Sequence, residues 1–267
     1  MKRRISYILI ISILFSSLSI SPAVKAAGTR KEIYSEIGGH LLKRHKTFSI
    51  KCDYTKAVSS LIDRMNGKSE SRYYQAIYDI THTAIDNTTD GGDYLYGIIR
   101  QAGCYYAGGR LRFYGVKYFE TKKQTKKVNQ FTRRVVRRIK KRTGNQYKRI
   151  QLAYAFVINQ ITYDTRKNCL FSAYSGYVKR KSVCNGYALM LYKILTAMGF
   201  SARFVSGEVR GGKSWYLHAW NKVKYRGKWY NLDACSDDPD DGKVYADFFM
   251  KSNKAFSKTH RQDYFIP

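Results

Sequence analysis

Residues 181–198 read KSVCNGYALMLYKILTAM, and residues 214–233 read SWYLHAWNKVKYRGKWYNLD. In the first stretch, apolar residues recur every three or four positions from Leu191 to Met198, which predicts a helix that begins at Cys184. The unpaired N–H groups and the dipole at a helix start favour a thiolate, the form of cysteine that attacks a carbonyl. By itself the pattern also fits a buried structural cysteine.

The second stretch predicts a β-hairpin, because two alternating segments flank a turn signal at Arg226-Gly227. A two-residue turn there pairs Tyr225 with Lys228. In that register His218 and Asp233 are diagonal neighbours on one face, about 7–8 Å apart between backbones, so their side chains can hydrogen-bond. A four-residue loop gives the same pairing, whereas a three-residue loop puts them on opposite faces.

Placed over the start of the helix, this hairpin completes a nucleophile, base and orienting acid. Cys184 would attack an amide carbonyl, His218 would hold the thiolate and protonate the leaving amine, and Asp233 would fix the imidazole. The Cys184 N–H is a natural donor to the oxyanion. Taken singly, His218 also fits a half-buried strand residue, and Asp233 fits a turn residue at a strand end.

These motifs together resemble the transglutaminase-like superfamily. Residues 182–188 (SVCNGYA) look like its nucleophile motif, whereas HAWN at 218–221 and LD at 232–233 look like its His and Asp motifs. The resemblance implies an α+β, papain-like or transglutaminase-like core, with the nucleophile helix packed on an antiparallel sheet. It also implies acyl transfer from an amide in a protein or peptide, with Tyr174 and Trp220 as substrate-binding residues.

The likeness extends outward to residues 161–164, 172–176 and 246–260, the last resembling a tail of secreted bacterial members. One departure stands after Asp233, where the family often has Thr-Trp and this chain has Cys235-Ser236. That change puts the shape of the pocket in doubt. It also raises the hypothesis of a regulatory disulfide between Cys184 and Cys235.

The rest of the chain divides into a signal peptide at 1–26, an N-terminal α+β region at 27–121 and the catalytic domain at 122–267. Periodicity and turn signals indicate helices at 31–46, 57–65, 73–80, 122–142 and 146–160, and strands at 48–54, 94–100 and 111–119.

The N-terminus predicts export. A basic start at residues 2–4 precedes an apolar run at 5–20, and Val24-Lys25-Ala26 fits a cleavage site. We therefore expect a secreted product with no stable membrane insertion after cleavage; an uncleaved anchor is the alternative, although the run is short for a bilayer span.

The charge is strongly positive at +30, and residues 1–26 carry four basic side chains and no acid, which leaves +26. Residues 122–142 hold eleven basic residues and no acid around an apolar stripe. Outside a cell the partners available to such a surface are anionic cell-wall polymers, anionic lipid headgroups or acidic proteins, and not nucleic acid. We expect the basic helix to bind the wall polymers. The alternative is a solvated helix face without a partner.

Cofactors and metals are not expected. The five cysteines at 52, 104, 169, 184 and 235 are an odd number, which fits one reserved thiol with zero to two disulfides, or five buried thiols. They show no zinc spacing. The acidic run at 237–241 lacks calcium-loop spacing and predicts an exposed turn.

The leading functional hypothesis is thus a secreted transglutaminase-like enzyme that cross-links, deamidates or hydrolyses through a cysteine thioester at the cell surface. A papain-like peptidase that only hydrolyses is one alternative. A non-catalytic module that binds wall polymers on the same fold is the other.

Overall fold

The computed structural model of the chain describes residues 28–83, 90–166, 170–238 and 245–262. The predicted signal peptide at 1–26 lies outside them. Helices and mostly antiparallel sheets occur along the described part, which confirms the predicted α+β class. No helix in these residues combines the length and the apolar content needed to cross a bilayer.

The first part of the chain forms a small sheet with helices around it. Its elements are α1 (Arg30–Leu42), β1 (Phe48–Lys51), α2 (Lys56–Asn66), α3 (Glu70–Thr83), α4 (Gly92–Ile98), β2 (Ile99–Ala107) and β3 (Arg110–Tyr118). The strands pair antiparallel in the order β1-β3-β2. The predicted helices and strands are found here within about four residues of their predicted bounds, with one exception. Most of β2 lies outside the predicted strands.

The exception is the strand predicted at 94–100, which is wrong. Residues 92–98 form α4, and β2 begins only at Ile99. All seven residues of α4 are buried, so the segment carries no polar face from which a helical period could be read. Burial on every side is what made a short Tyr- and Leu-containing helix look like a strand.

The second part contains the remaining elements. They are α5 (Lys122–Arg142), α6 (Gln146–Gln160), β4 (Thr162–Tyr163), a π-helical turn (Ser175–Lys179), β5 (Lys181–Ser182), α7 (Cys184–Ala197), β6 (Ala202–Gly211), β7 (Ser214–Tyr225), β8 (Lys228–Leu232), α8 (Asn253–Phe256) and β9 (His260–Gln262). The bounds predicted for α5 and α6 are confirmed. An antiparallel sheet has the order β8-β7-β6-β9, whereas β4 and β5 pair parallel.

Helix α7 lies at the centre of the core. It is buried from Gly186 to Leu195 because it packs against α4, α5, α6, β6 and β7. A helix that is apolar nearly all round is stable only in such a position. Its one buried charge, Lys193, pairs with Asp90 and lies 3.8 Å from the Tyr94 ring centroid.

The predicted domain boundary near residue 121 stays a prediction. Helix α4 precedes it and yet packs on α7 and β6, which follow it. Buried side chains from both parts belong to one continuous hydrophobic cluster. The first part therefore contributes directly to the support of α7.

A buried carboxylate links these two parts. Asp93 in α4 is fully buried, and its oxygens accept hydrogen bonds from Arg203 Nε at 2.8 Å and the Phe204 N–H at 3.0 Å, both in β6. His82 Nε2 in α3 lies 2.5 Å away. Burial alone would raise the pKa of Asp93, but hydrogen bonds from His82 and Arg203 and the Arg203 charge lower it.

Substitution Asp93→Asn should lower the free energy of unfolding by about 3–5 kcal/mol, because it leaves the largely covered Arg203 guanidinium without its counter-charge. The loss should shrink in acid: a carboxylate with a depressed folded-state pKa stabilises above its unfolded pKa and loses that contribution as pH falls through the folded value. Urea unfolding at neutral and acidic pH measures both effects. The exposed Asp53→Asn is the control and should change stability by less than about 0.5 kcal/mol; equal losses for the two variants would contradict the assignment.

Candidate active site

Cys184 is the first residue of α7, as the sequence predicts. Val183 before it has an extended backbone and supplies no side-chain cap. The first N–H groups of a helix have no partner within the helix, so those of this turn remain free of a capping side chain. The sulfur therefore lies where backbone dipoles favour negative charge.

The residues after Cys184 fix where the helix begins. Asn185 Nδ2 donates to the carbonyls of Gly97 at 3.1 Å and Phe171 at 2.7 Å, which ties the first turn of α7 to two neighbouring segments. A Cβ on Gly186 would lie only 1.9 Å from Ser182 Oγ. Glycine at 186 thus permits the close approach of β5 to the helix start.

His218 and Asp233 come together through the hairpin of β7 and β8. Tyr225 pairs with Lys228, which confirms the predicted two-residue turn. Arg226 and Gly227 both have positive φ, at 48° and 78°, as in the turn type that matches the strand twist. His218 Nε2 lies 2.7 Å from Asp233 Oδ2.

The imidazole of His218 lies between a carboxylate and a thiol. Its Nε2 faces Asp233, and the ring also hydrogen-bonds with Cys184. Burial disfavours the charged ring, but the Asp233 carboxylate and its hydrogen bond, together with Cys184, raise the pKa of His218 to about 10. His218 is therefore an imidazolium at neutral pH, suited to pairing with a thiolate.

The Asp233 carboxylate is 1% exposed. Burial alone would raise its pKa, but the charge of His218 and hydrogen bonds from His218 and His260 hold the pKa well below its usual range. Oδ1 accepts the N–H groups of Cys235 and Ser236, each at 3.1 Å, and Oδ2 accepts Ser236 Oγ at 2.5 Å. Asp233 thus carries a fixed negative charge behind His218.

Cys184 and His218 open onto a groove of about 210 Å³. The rest of its wall is mainly aromatic and aliphatic: Tyr74, Tyr96, Ile99, Phe119, Phe171, Phe204 and Leu217. Leu217 is 73% exposed on β7, next to His218. Such a wall suits an extended chain with apolar side chains that presents a carbonyl to the sulfur.

The two predicted substrate-binding residues do not line this groove. Trp220 is 2% exposed, and its ring packs against Phe256 and His260, with centroids 5.5 Å and 5.2 Å away. Tyr174 is half-buried against the core, and its N–H donates to Glu120 at 3.2 Å. Their predicted contact with substrate has no support from these positions.

Cys235 does lie close to the site, as its sequence position led us to expect. Burial and the charges of Asp233 and Cys184 raise the pKa of its thiol. Both Cys184 and Cys235 are free thiols in the structure, as are Cys52 and Cys104. Cys169 lies outside the described residues.

The acidic run at 237–241 was predicted as an exposed turn, and for Asp237 this is wrong. Asp237 is fully buried and bonds with Tyr154 Oη and the Phe248 N–H, and Asp238 accepts Tyr187 Oη at 2.6 Å. These carboxylates anchor the segment after Asp233 to the core. Residues 239–244 lie outside the described part.

His260 is a residue of the site that no motif in the sequence indicates. Its Nε2 lies 3.0 Å from Asp233 Oδ2. His218, Asp233 and His260 form the group of described residues with ligand atoms close enough for a metal ion, all within 4.8 Å. The Nε2 atoms of both histidines already hydrogen-bond with Asp233 Oδ2.

Residues 133–234 match the model of the transglutaminase-like superfamily. A search of curated protein sequences gave no significant match.

Solved structures with similarity include a TGase, at 14% identity and a TM-score of 0.40 over 59% of this chain and 49% of that one. Another is a candidate cysteine protease from Cytophaga hutchinsonii, at 21% identity and a TM-score of 0.36 over 45% of this chain and 40% of that one. A third is the periplasmic domain of TgpA from Pseudomonas aeruginosa bound to ethylmercury, at 16% identity and a TM-score of 0.31 over 47% of this chain and 55% of that one. The chain spans about half the length of these proteins.

A cysteine at the start of a central helix, facing a histidine on an antiparallel sheet, defines the papain-like class of α+β fold. Within that class, residues 133–234 match the transglutaminase-like superfamily. The matched region starts inside α5 and ends one residue after Asp233. It includes Cys184 and His218 but stops well before His260.

The raised pKa of His218 predicts how the site affects stability. A group whose pKa rises from 6.5 to about 10 on folding stabilises fully below pH 6.5 and loses this contribution as pH rises towards 10. The difference in unfolding free energy between wild type and His218→Gln should therefore be largest near about pH 6 and shrink by about pH 9.5. Urea unfolding at the two pH values measures it. The exposed His45→Gln is the control, and a His218→Gln difference that stays constant with pH would contradict the ion pair.

Proposed function

We propose that the protein is a cysteine acyltransferase in which Cys184, His218 and Asp233 form the catalytic triad. The observation that carries the proposal is the groove in which Cys184 and His218 meet, with the buried Asp233 carboxylate behind the imidazole. An oriented thiol, base and acid is the set that amide chemistry needs.

The reaction would begin with attack of the Cys184 sulfur on an amide carbonyl. The resulting oxyanion would accept the Cys184 N–H at the helix start. His218 would give its proton to the leaving amine as the C–N bond breaks, which leaves a thioester on the sulfur. An amine or a water molecule would then attack the thioester, lose its proton to His218 and release Cys184.

The choice of acceptor separates the candidate activities. An amine acceptor gives cross-linking, and water gives deamidation or peptide hydrolysis. The apolar wall of the groove favours a protein or peptide as the acyl donor over a small polar amide. A papain-like peptidase would use the same three residues with water alone.

The test compares alanine variants of two neighbouring cysteines, Cys184 and Cys235. Incubation with a glutamine-containing peptide and a labelled amine, and separately with a peptide library, should give products for wild type. Cys184→Ala should lower the rate by about 10⁴-fold or more, since the thioester cannot form. The neighbouring Cys235→Ala should keep most of the activity.

Labelled-amine products support cross-linking, whereas cleaved peptides alone support the peptidase. If wild type makes neither product, and Cys184 does not react with iodoacetamide at mildly acidic pH, the non-catalytic binding module is the better reading. Mass spectrometry of the Cys184 peptide makes that distinction directly.

We further propose that the enzyme works outside the cell membrane and binds an anionic, phosphate-bearing wall polymer through α5. Export is supported by the signal-like residues 1–26. All eleven basic side chains of α5 are exposed, while its buried residues include Val128, Val135 and Ile139. The charged face is thus free for a partner.

The first half of α5 gives this surface a definite shape. A cleft of about 630 Å³ is lined by Lys122, Lys123, Lys126, Arg133 and Arg44. Asp90 is the one acidic residue that lines the cleft, and it already forms an ion pair with the buried Lys193. Lysines at a helix N-terminus oppose the helix dipole, so an anion in the cleft would relieve an unfavourable arrangement.

A charge-matched pair of triple variants tests the cleft. Changing Lys122, Lys123 and Lys126 to Gln should weaken binding to a poly(glycerol phosphate) chain by about tenfold or more, because each contact near a polyanion contributes of order 1 kcal/mol. The control variant changes Lys140, Lys141 and Arg142 to Gln, which removes the same amount of positive charge. Calorimetry at two salt concentrations measures the Kd and how far salt weakens the binding by screening the charges.

Equal weakening by the two triple variants would contradict a cleft and indicate a diffuse charged face. Equal binding of polyglutamate would contradict the preference for phosphate. Binding that does not change with salt would contradict the electrostatic origin itself.

A further inference from the structure

Asp233 receives hydrogen bonds from two histidines. Oδ2 lies 2.7 Å from His218 Nε2 on the groove side and 3.0 Å from His260 Nε2 on the other. The His260 side chain is wholly buried and has no access to the groove. It comes from β9, beyond the segment matched by the family model.

The fold holds the His260 ring in place from several sides. Strand β9 pairs antiparallel with β6, with His260 opposite Val209. The ring stacks on Phe256 with centroids 3.7 Å apart, and its Nδ1 lies 2.9 Å from Thr259 Oγ1. Because an ionised carboxylate only accepts hydrogen bonds, the His260 nitrogen that faces Asp233 carries a proton.

We propose that His260 is a positioning residue for the triad, which holds the Asp233 carboxylate at the angle that orients His218. This inference rests on the proposed function. Backbone N–H groups fix Oδ1, but Oδ2 is held by side chains, of which Ser236 belongs to the same turn as Asp233. His260 is the donor that reaches Oδ2 from a distant strand and so ties the carboxylate to the sheet.

Without the donor, Oδ2 would lose a bond on its buried side, where water cannot replace it. The carboxylate could then rotate away from the direction that His218 requires. The imidazole would lose its fixed acceptor, and the sulfur of Cys184 would lose a well-placed partner. Outer hydrogen-bond partners of this kind typically change affinity or activity by about 10–100-fold.

His260 also packs against Trp220 and Phe256, so a purely structural role must be separated from positioning. Two substitutions separate the packing of the ring from its hydrogen bond to Asp233. His260→Phe keeps an aromatic ring and removes the N–H donor. His260→Gln keeps an N–H donor and removes the ring.

The readout is the rate at which iodoacetamide alkylates Cys184 at mildly acidic pH, followed by mass spectrometry of its peptide. His260→Phe should slow alkylation by about 10–100-fold, and His260→Gln should stay closer to wild type. With an amide substrate, kcat should fall for the Phe variant while KM changes little. Circular dichroism and thermal unfolding of each variant establish that it is folded.

A His218→Ala background gives the second measurement. If His260 acts through Asp233 and His218, His260→Phe should slow alkylation by less than about twofold further once His218 is gone. An undiminished further slowing in that background would overturn the proposal. So would the opposite ranking, in which the Phe variant matches wild type and the Gln variant is slow, because it would assign His260 to packing alone.

The alkylation readout needs no amide substrate. A failure of the proposed acyl transfer would leave the ranking of the His260 variants intact. A failure of the positioning role would leave amide turnover intact and remove the ranking. The two failures are therefore distinguishable in one set of proteins.

Discussion

A single buried negative charge constrains the architecture around the groove. Asp233 is almost completely removed from water, and an uncompensated carboxylate in such a place would take up a proton. It stays charged because hydrogen-bond donors converge on it from its own turn, from β7 and from β9. Three features of the fold place these donors around Asp233. They are the register of the hairpin, the segment after Asp233 and the last described strand.

The charge on Asp233 then sets the state of the rest of the site. It keeps His218 positively charged at neutral pH, and the imidazolium faces a sulfur at the positive end of α7. Burial and the charge of the same carboxylate raise the pKa of Cys235, which keeps that nearby thiol protonated. Of these two cysteines, it is Cys184 that lines the groove.

Support for this site comes from parts of the chain that carry no catalytic motif. Helix α4 packs on α7 and β6 and is fixed there by Asp93, a second buried carboxylate with its own set of donors. Asn185 ties the first turn of α7 to the Gly97 carbonyl in α4. The N-terminal region is therefore part of what positions Cys184, whatever further role it has.

Local signals in the sequence determined much of this arrangement. An apolar stripe and a Thr121–Gln124 capping box delimit α5, and the Arg226-Gly227 turn sets the register of β7 and β8. Neighbours close in sequence suffice for these features, because period and turn geometry act over a few residues. The juxtaposition of His218 and Asp233 could therefore be predicted from the hairpin alone.

Only the tertiary structure decided the rest. Helix α4 has no exposed face and so no readable period, which is why it looked like a strand. Trp220, which the family resemblance predicted to bind substrate, is covered by Phe256. His260 reaches Asp233 through the pairing of β9 with β6, about 50 residues apart in sequence. Contacts of this kind depend on which surfaces the whole chain brings together, and no pattern within a short window records them.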